Sequence, residues 1–136
     1  MKILALLCAV VVSVSYSQKK RDELQRTANI ERGKYLVENV ANCIHCHSPR
    51  ESNGELIRTK LLEGASVPVG KPNWAYVWAE FAPRIAGLPQ YSGEQALRLL
   101  TTGIGKDGKP LRAPMPVFKM LPNDAQDVVG YLKSMR

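Results

Sequence analysis

Five consecutive residues, Cys43-Ile44-His45-Cys46-His47, hold both histidines of the chain and two of its three cysteines. That concentration limits what these side chains can build. A structural zinc ion needs four ligands in a tetrahedron, usually as two separated pairs, and a single five-residue run cannot surround it unaided. A thioredoxin-like C-x-x-C belongs to an alternating strand–helix pattern, which is absent from the flanking sequence. A bare local disulfide would use both thiols but takes no account of the histidine that follows them.

The reading that uses all three side chains is C-x-x-C-H, the attachment pattern of a c-type haem. Two cysteines three apart near a helix end present their sulfurs on one side, where they can add to two vinyl groups along one porphyrin edge. His47, the next residue, is then carried beneath the ring, where its imidazole can bind iron. One such motif implies one covalent haem c per chain. His45, between the cysteines, is expected to be exposed and cannot reach the opposite face.

The rest of the chain bounds this reading. Its 136 residues make one small domain with room for one core. Hydrophobic residues are 45% and charged residues 23%, a globular balance. No apolar run reaches the ~20 residues of a spanning helix. A multidomain enzyme, a polytopic membrane protein and a disulfide-rich miniprotein are therefore excluded, and two histidines cannot alone fill a multi-histidine metal centre.

Residues 1–17 read as a cleavable export signal. Met1-Lys2 supplies a positive start, Ile3 to Val12 an apolar run, and Ser15-Tyr16-Ser17 small residues at the positions a signal peptidase reads. Cys8 lies within the run and is lost on cleavage; an uncleaved anchor is the weaker alternative. Residues 18–28 are polar, with Lys19, Lys20 and Arg21 in a row, and read as a mobile leader. Residues 29–136 form the domain.

Within it the periodicity predicts an all-α fold. Asn29 is expected to cap a helix reaching about Ala41, with Ile30, Gly33, Val37, Val40 and Ala41 on one face. Ser92 and Gln95 form a capping box for a helix ending near Gly103, with Ala96, Leu97 and Leu100 as its stripe. Asn123 and Gln126 are expected to do the same for the last helix, whose stripe is Ala125, Val128, Val129, Leu132 and Met135. The first and last helices are expected to cross closely at Gly33 and Gly130. Between Ser48 and Pro89 lies an irregular, proline-rich stretch with short helices expected at 55–63 and 73–81. So long an irregular segment makes sense in a compact domain if it wraps something other than protein. Trp74, Tyr76, Trp78 and Tyr91 are candidates to wall the haem or bond its propionates, or else to be ordinary core aromatics. Gly103 to Lys109 lacks the ending of a phosphate loop and reads as a turn.

With no histidine left, a second axial ligand is sought among Met115, Met120 and Met135. Met135 belongs to a helix stripe, and Met120 can staple the start of the last helix. Met115 stands in Ala113-Pro114-Met115-Pro116, where flanking prolines hold a rigid, non-regular loop. It is the expected ligand, with Met120 or an open position as the alternatives.

The order Gly33-Lys34-Tyr35, C-x-x-C-H, Ala82-Pro83-Arg84-Ile85-Ala86-Gly87, a capped helix, Pro114-Met115-Pro116 and Tyr131-Leu132 resembles a bacterial class I monohaem c-type cytochrome. The resemblance spans about residues 29 to 136. It implies the small cytochrome c fold, with N- and C-terminal helices crossing and a haem-wrapping segment between. It also implies that the Pro83 carbonyl accepts the proximal imidazole N–H, fixing the ring. The departure is the segment from about Arg50 to Phe81, longer than in the smallest members. The implied function is a periplasmic one-electron carrier rather than an enzyme, with His47 and Met115 as iron ligands. The alternatives are a haem c subunit of a larger periplasmic dehydrogenase or oxidase, or a five-coordinate haem enzyme or gas sensor. The net charge is +7, and Lys106, Lys109, Arg112 and Lys119 surround the methionine loop. An acidic redox partner is therefore expected, with no role for nucleic acid. Membrane contact is expected only through a partner complex or an uncleaved signal.

Overall fold

A computed structural model of the chain describes the backbone of residues 2–135 and the side chains of residues 15–135 apart from residue 28. It is mainly helical, and two helices at opposite ends of the chain form its centre. The side chains behind the export-signal reading, Cys8 included, lie mostly outside the described residues. Among those described, no helix is long and apolar enough to cross a membrane.

Helix α1 spans Lys2–Tyr35. It carries residues 18–28, expected as a mobile leader, and runs straight through Asn29, expected as its cap. The reason is local. No glycine or proline falls between residues 18 and 32, and lysine, arginine, glutamate, glutamine and leucine dominate there. Side chains also bond at helical spacing, Arg21 to Gln18 at 2.7 Å and Gln25 to Asn29 at 2.8 Å. The Asn29 oxygen accepts from Gln25 instead of capping a helix start.

At Leu36–Val40 the helix widens into a π-turn, closed by Ala41 N–H donating to the Leu36 carbonyl at 2.7 Å. The extra residue in the turn changes the helical phase. Leu36 and Val37 become buried, and Val40, expected on the apolar face, is 55% exposed. Asn42 then takes a left-handed conformation (φ 52°), which asparagine tolerates. It turns the chain into the short helix α2, Cys43–His47.

The middle segment is held by backbone bonds to distant partners. The expected helix at 55–63 shrinks to one 3-10 turn, Arg58–Lys60. The expected helix at 73–81 does not form. Instead Val67 N–H donates to Glu80 O at 2.9 Å, Ala79 N–H to Ala113 O at 2.7 Å, and the Trp78 indole to Val69 O at 3.2 Å. The Ala79 N–H and the Glu80 carbonyl are therefore engaged outside a helical i→i+4 ladder. Strands β1, Ala65–Ser66, and β2, Phe81–Ala82, pair antiparallel with Ala65 opposite Ala82. Leu62 is fully buried at φ 62°, its N–H donating to the buried Ser48 Oγ at 2.9 Å.

Helix α3, Gly93–Thr102, starts at Ser92 with the expected box: Ser92 Oγ accepts Gln95 N–H at 3.2 Å, and Gln95 Oε1 accepts Ser92 N–H at 2.9 Å. Gly103 ends it at φ 78°. Helix α4 is Pro122–Ser134. Its cap is Leu121, so the expected Asn123–Gln126 box is not used. Pro122, with φ already helical and no N–H to satisfy, begins the first turn. Ala125, Val128, Val129 and Leu132 are buried, as their spacing predicts.

Helices α1 and α4 cross at Gly33. A Cβ there would lie 2.0 Å from the Asp127 carbonyl oxygen. Gly130, expected to share the crossing, has nothing within 4 Å of its Cβ position: it borders an open groove between the two helices. Arg32 binds Asp124 and Asp127 across the same crossing.

The Tyr131 hydroxyl donates to Glu38 Oε1 at 2.8 Å, linking α4 to the π-turn. Burial, then the bond to Glu38 and its charge, push the phenol above its usual range. A neutral Tyr131 therefore supports the fold fully below the unfolded value of ~10, and that support drains as pH rises beyond it. Tyr131→Phe is expected to flatten the alkaline limb of a denaturation-midpoint-against-pH curve between about pH 9.5 and 11. A limb as steep as the parent's would show that other groups set it.

Candidate functional site

Helices α2, α3 and α4 and the middle segment enclose a cavity of about 330 Å³. Its wall is almost wholly apolar, with leucines 88, 99, 100, 111 and 132 supplied by the α3 and α4 regions and the turns beside them. Into this wall are set Cys43, Cys46 and His47 from α2, Pro83 from the turn after β2, and Met115.

His47 is buried, and its Nδ1 lies 2.7 Å from the Pro83 carbonyl oxygen. A carbonyl only accepts, so Nδ1 carries the proton and Nε2 keeps a lone pair. Burial lowers the His47 pKa, and the Pro83 bond opposes that shift in part. The imidazole is thus held neutral, in the tautomer and orientation a metal ligand requires.

The Pro83 carbonyl is held in place by close packing. Gly64 N–H donates to the His47 carbonyl at 2.7 Å, so the chain after the 3-10 turn sits against α2. Gly64 has φ 90°, and a Cβ there would stand 2.8 Å from Arg84 N and 3.0 Å from Ala82 O. Only glycine meets both constraints, and the backbone it touches flanks Pro83.

Cys43 is buried, Cys46 is half-buried, and both are free thiols. Burial pushes the Cys43 thiol up to about 11, so it stays protonated near neutral pH. Met115 N–H donates to Arg112 O at 3.1 Å, closing the turn that carries the thioether to the cavity. Met120 and Met135 pack against the hydrophobic core and do not line the cavity.

Among the described residues, no three His, Cys, Asp or Glu side chains converge to hold a bare metal ion. Two thiols, one imidazole and one thioether on an apolar wall fit a macrocycle that brings its own nitrogen ligands. Comparison with known families matches residues 30–136 to Cytochrome c. The chain belongs to the cytochrome c family. No curated protein matches it.

Cytochromes c hold haem c covalently and carry electrons, and this cytochrome has the matching fold, N- and C-terminal helices included. The matched region contains the whole cavity lining and leaves out most of α1. The residues present fit haem c: Cys43 and Cys46 would form the thioethers and His47 would bind iron from one side.

Three of the four candidate wall residues stand elsewhere. Trp74 is 76% and Tyr76 98% exposed, and Trp78 turns its indole to its own loop. Of the four aromatics only Tyr91 lines the cavity. The middle segment contributes Val67, Ala79 and Phe81 instead. Nothing in their sequence context singles them out, because the bonds that bring them in are between backbone groups far apart in the chain. His45 is exposed, as its position between the cysteines predicts.

Proposed function

We propose that this cytochrome is a periplasmic one-electron carrier with a single haem c, ligated by His47 and Met115. The observation that carries the proposal is that the Pro83-held imidazole and the Met115 turn line one apolar cavity with both thiols. Haem, when bound, supplies a one-electron couple. The chain's part is to hold it covalently, fix the imidazole, present the thioether and keep water from the ring. His47 and Met115, both held by the fold, would together leave no ligand position open to substrate, and the bound group would supply one-electron chemistry with little movement of either side chain.

Export rests on the signal pattern in residues 1–17 and on the covalent attachment that keeps haem in an exported chain. Exposed Lys106, Lys109, Arg112 and Lys119 near the methionine turn favour an acidic redox partner. Electrostatic steering of that kind slows as salt rises.

The decisive experiment is a haem stain on a denaturing gel with an intact mass. The expected result is one porphyrin per chain, surviving denaturation and absent from a Cys43→Ala, Cys46→Ala double variant. A colourless protein from a host competent in haem attachment would end the proposal. A second reading, a subunit of a larger periplasmic dehydrogenase or oxidase, is favoured by exposed Val69, Trp74, Tyr76, Val77 and Phe81 on the middle segment. Elution of the native protein at monomer size would exclude it.

A further inference from the structure

Among the described residues, the cavity wall carries one permanently charged residue, Arg112. A haem brings two carboxylates into any site that receives it, and an ionised carboxylate beside an apolar wall is costly unless paired. Among the described residues, the ion pairs join Arg32 to Asp124 and Asp127, and Arg84 to Glu63. Arg112 pairs with no carboxylate among the described residues. It is exposed, which places it where the cavity opens to solvent. Its own carbonyl accepts Met115 N–H at 3.1 Å, so its backbone is fixed by the turn that carries the thioether. Lys106 bonds Gln90 O at 3.2 Å, stands 5.5 Å over the Tyr91 ring, and does not line the cavity.

We propose that Arg112 is the carboxylate-binding residue of this site, its guanidinium fork pairing with a haem propionate. This rests on the haem reading above. A planar fork suits a carboxylate in two-point contact, and a side chain anchored three residues before Met115 ties one haem edge to the axial loop.

The test is the midpoint potential of the pigmented protein at low salt and at ~1 M salt, where charges are screened within about 3 Å. Removing the cation leaves the propionate charge uncompensated, which stabilises ferric over ferrous haem. Arg112→Gln is expected to shift that equilibrium about tenfold toward ferric, ~59 mV for one electron, and to keep the shift at high salt. Arg112→Lys, which keeps the charge, is expected to stay near the parent. Lys109→Gln, which removes a cation not on the cavity wall, is expected to give a small shift that salt abolishes. A pigmented Arg112→Gln with the parent's potential, or with a shift that salt abolishes, would overturn the proposal. So would Arg112→Lys giving the full tenfold shift, which also decides the matter if Arg112→Gln does not accumulate. Absence of pigment from the unmodified protein would instead strike the haem reading.

Discussion

Met115→Leu is expected to abolish the thioether-to-ferric charge-transfer absorption and to lower the midpoint potential, by on the order of 0.1–0.2 V out of the ~0.8 V that axial ligands command. A thioether favours ferrous iron, so its loss favours ferric. The substitution isolates the sulfur: leucine and methionine are similar in volume and both apolar, and such swaps cost less than about 1.5 kcal/mol. Covalent attachment through Cys43 and Cys46 is expected to survive, and the vacated position should bind carbon monoxide in the reduced protein. Met120→Leu is the matched control, because Met120 packs against the core and not on the cavity wall. It is expected to leave the absorption intact. Persistence of the band in Met115→Leu would assign the second ligand elsewhere.

Gly33→Ala is expected to be the most damaging single methyl group in the molecule. Its Cβ would stand 2.0 Å from the Asp127 carbonyl oxygen and 2.9 Å from the Tyr131 Cβ. The obstacle is the backbone of α4, so no rotamer change relieves it. The two helices must separate, which loosens the core that holds Val37 and Val128. Overpacking commonly costs 1–3 kcal/mol; at a backbone-to-backbone crossing about 3 kcal/mol or more is expected, lowering the melting temperature by ~10 °C or more. Gly130→Ala reverses the sign. With no atom within 4 Å of the added methyl, alanine gains about 1 kcal/mol of helix propensity. Equal effects at the two positions in denaturant melts would show that Gly33 does not mark a close crossing.

That pair also shows what a sequence can disclose. Both glycines sit in helices with apolar stripes, and the pattern treats them alike. Only the rotation of one helix against the other decides which faces a neighbour. Elements whose determinants are local were readable: the Ser92–Gln95 box, the Gly103 stop, the α4 stripe, and the C-x-x-C-H and Pro-Met-Pro segments. Errors at helix starts were also local in origin. Asn29 has the chemistry of a cap, but Gln25 uses its oxygen; so has Asn123, but Pro122 already occupies the first turn. The middle segment was not readable, since backbone groups of Val67 and Ala79 find partners at Glu80 and Ala113 and leave no periodic trace. In the sequence Arg112 is one of several cations near the methionine turn. Its place on the cavity wall depends on tertiary folding.

The bond from Ala79 N–H to the Ala113 carbonyl has a mechanical outcome. It buttons the flap between the two short strands onto the peptide just ahead of Pro114-Met115-Pro116. Fluctuations that would let the sulfur swing outward must therefore drag the flap along, and the two are expected to loosen as a single cooperative patch. Hydrogen exchange at the Ala79 and Met115 amides should then report the same opening event.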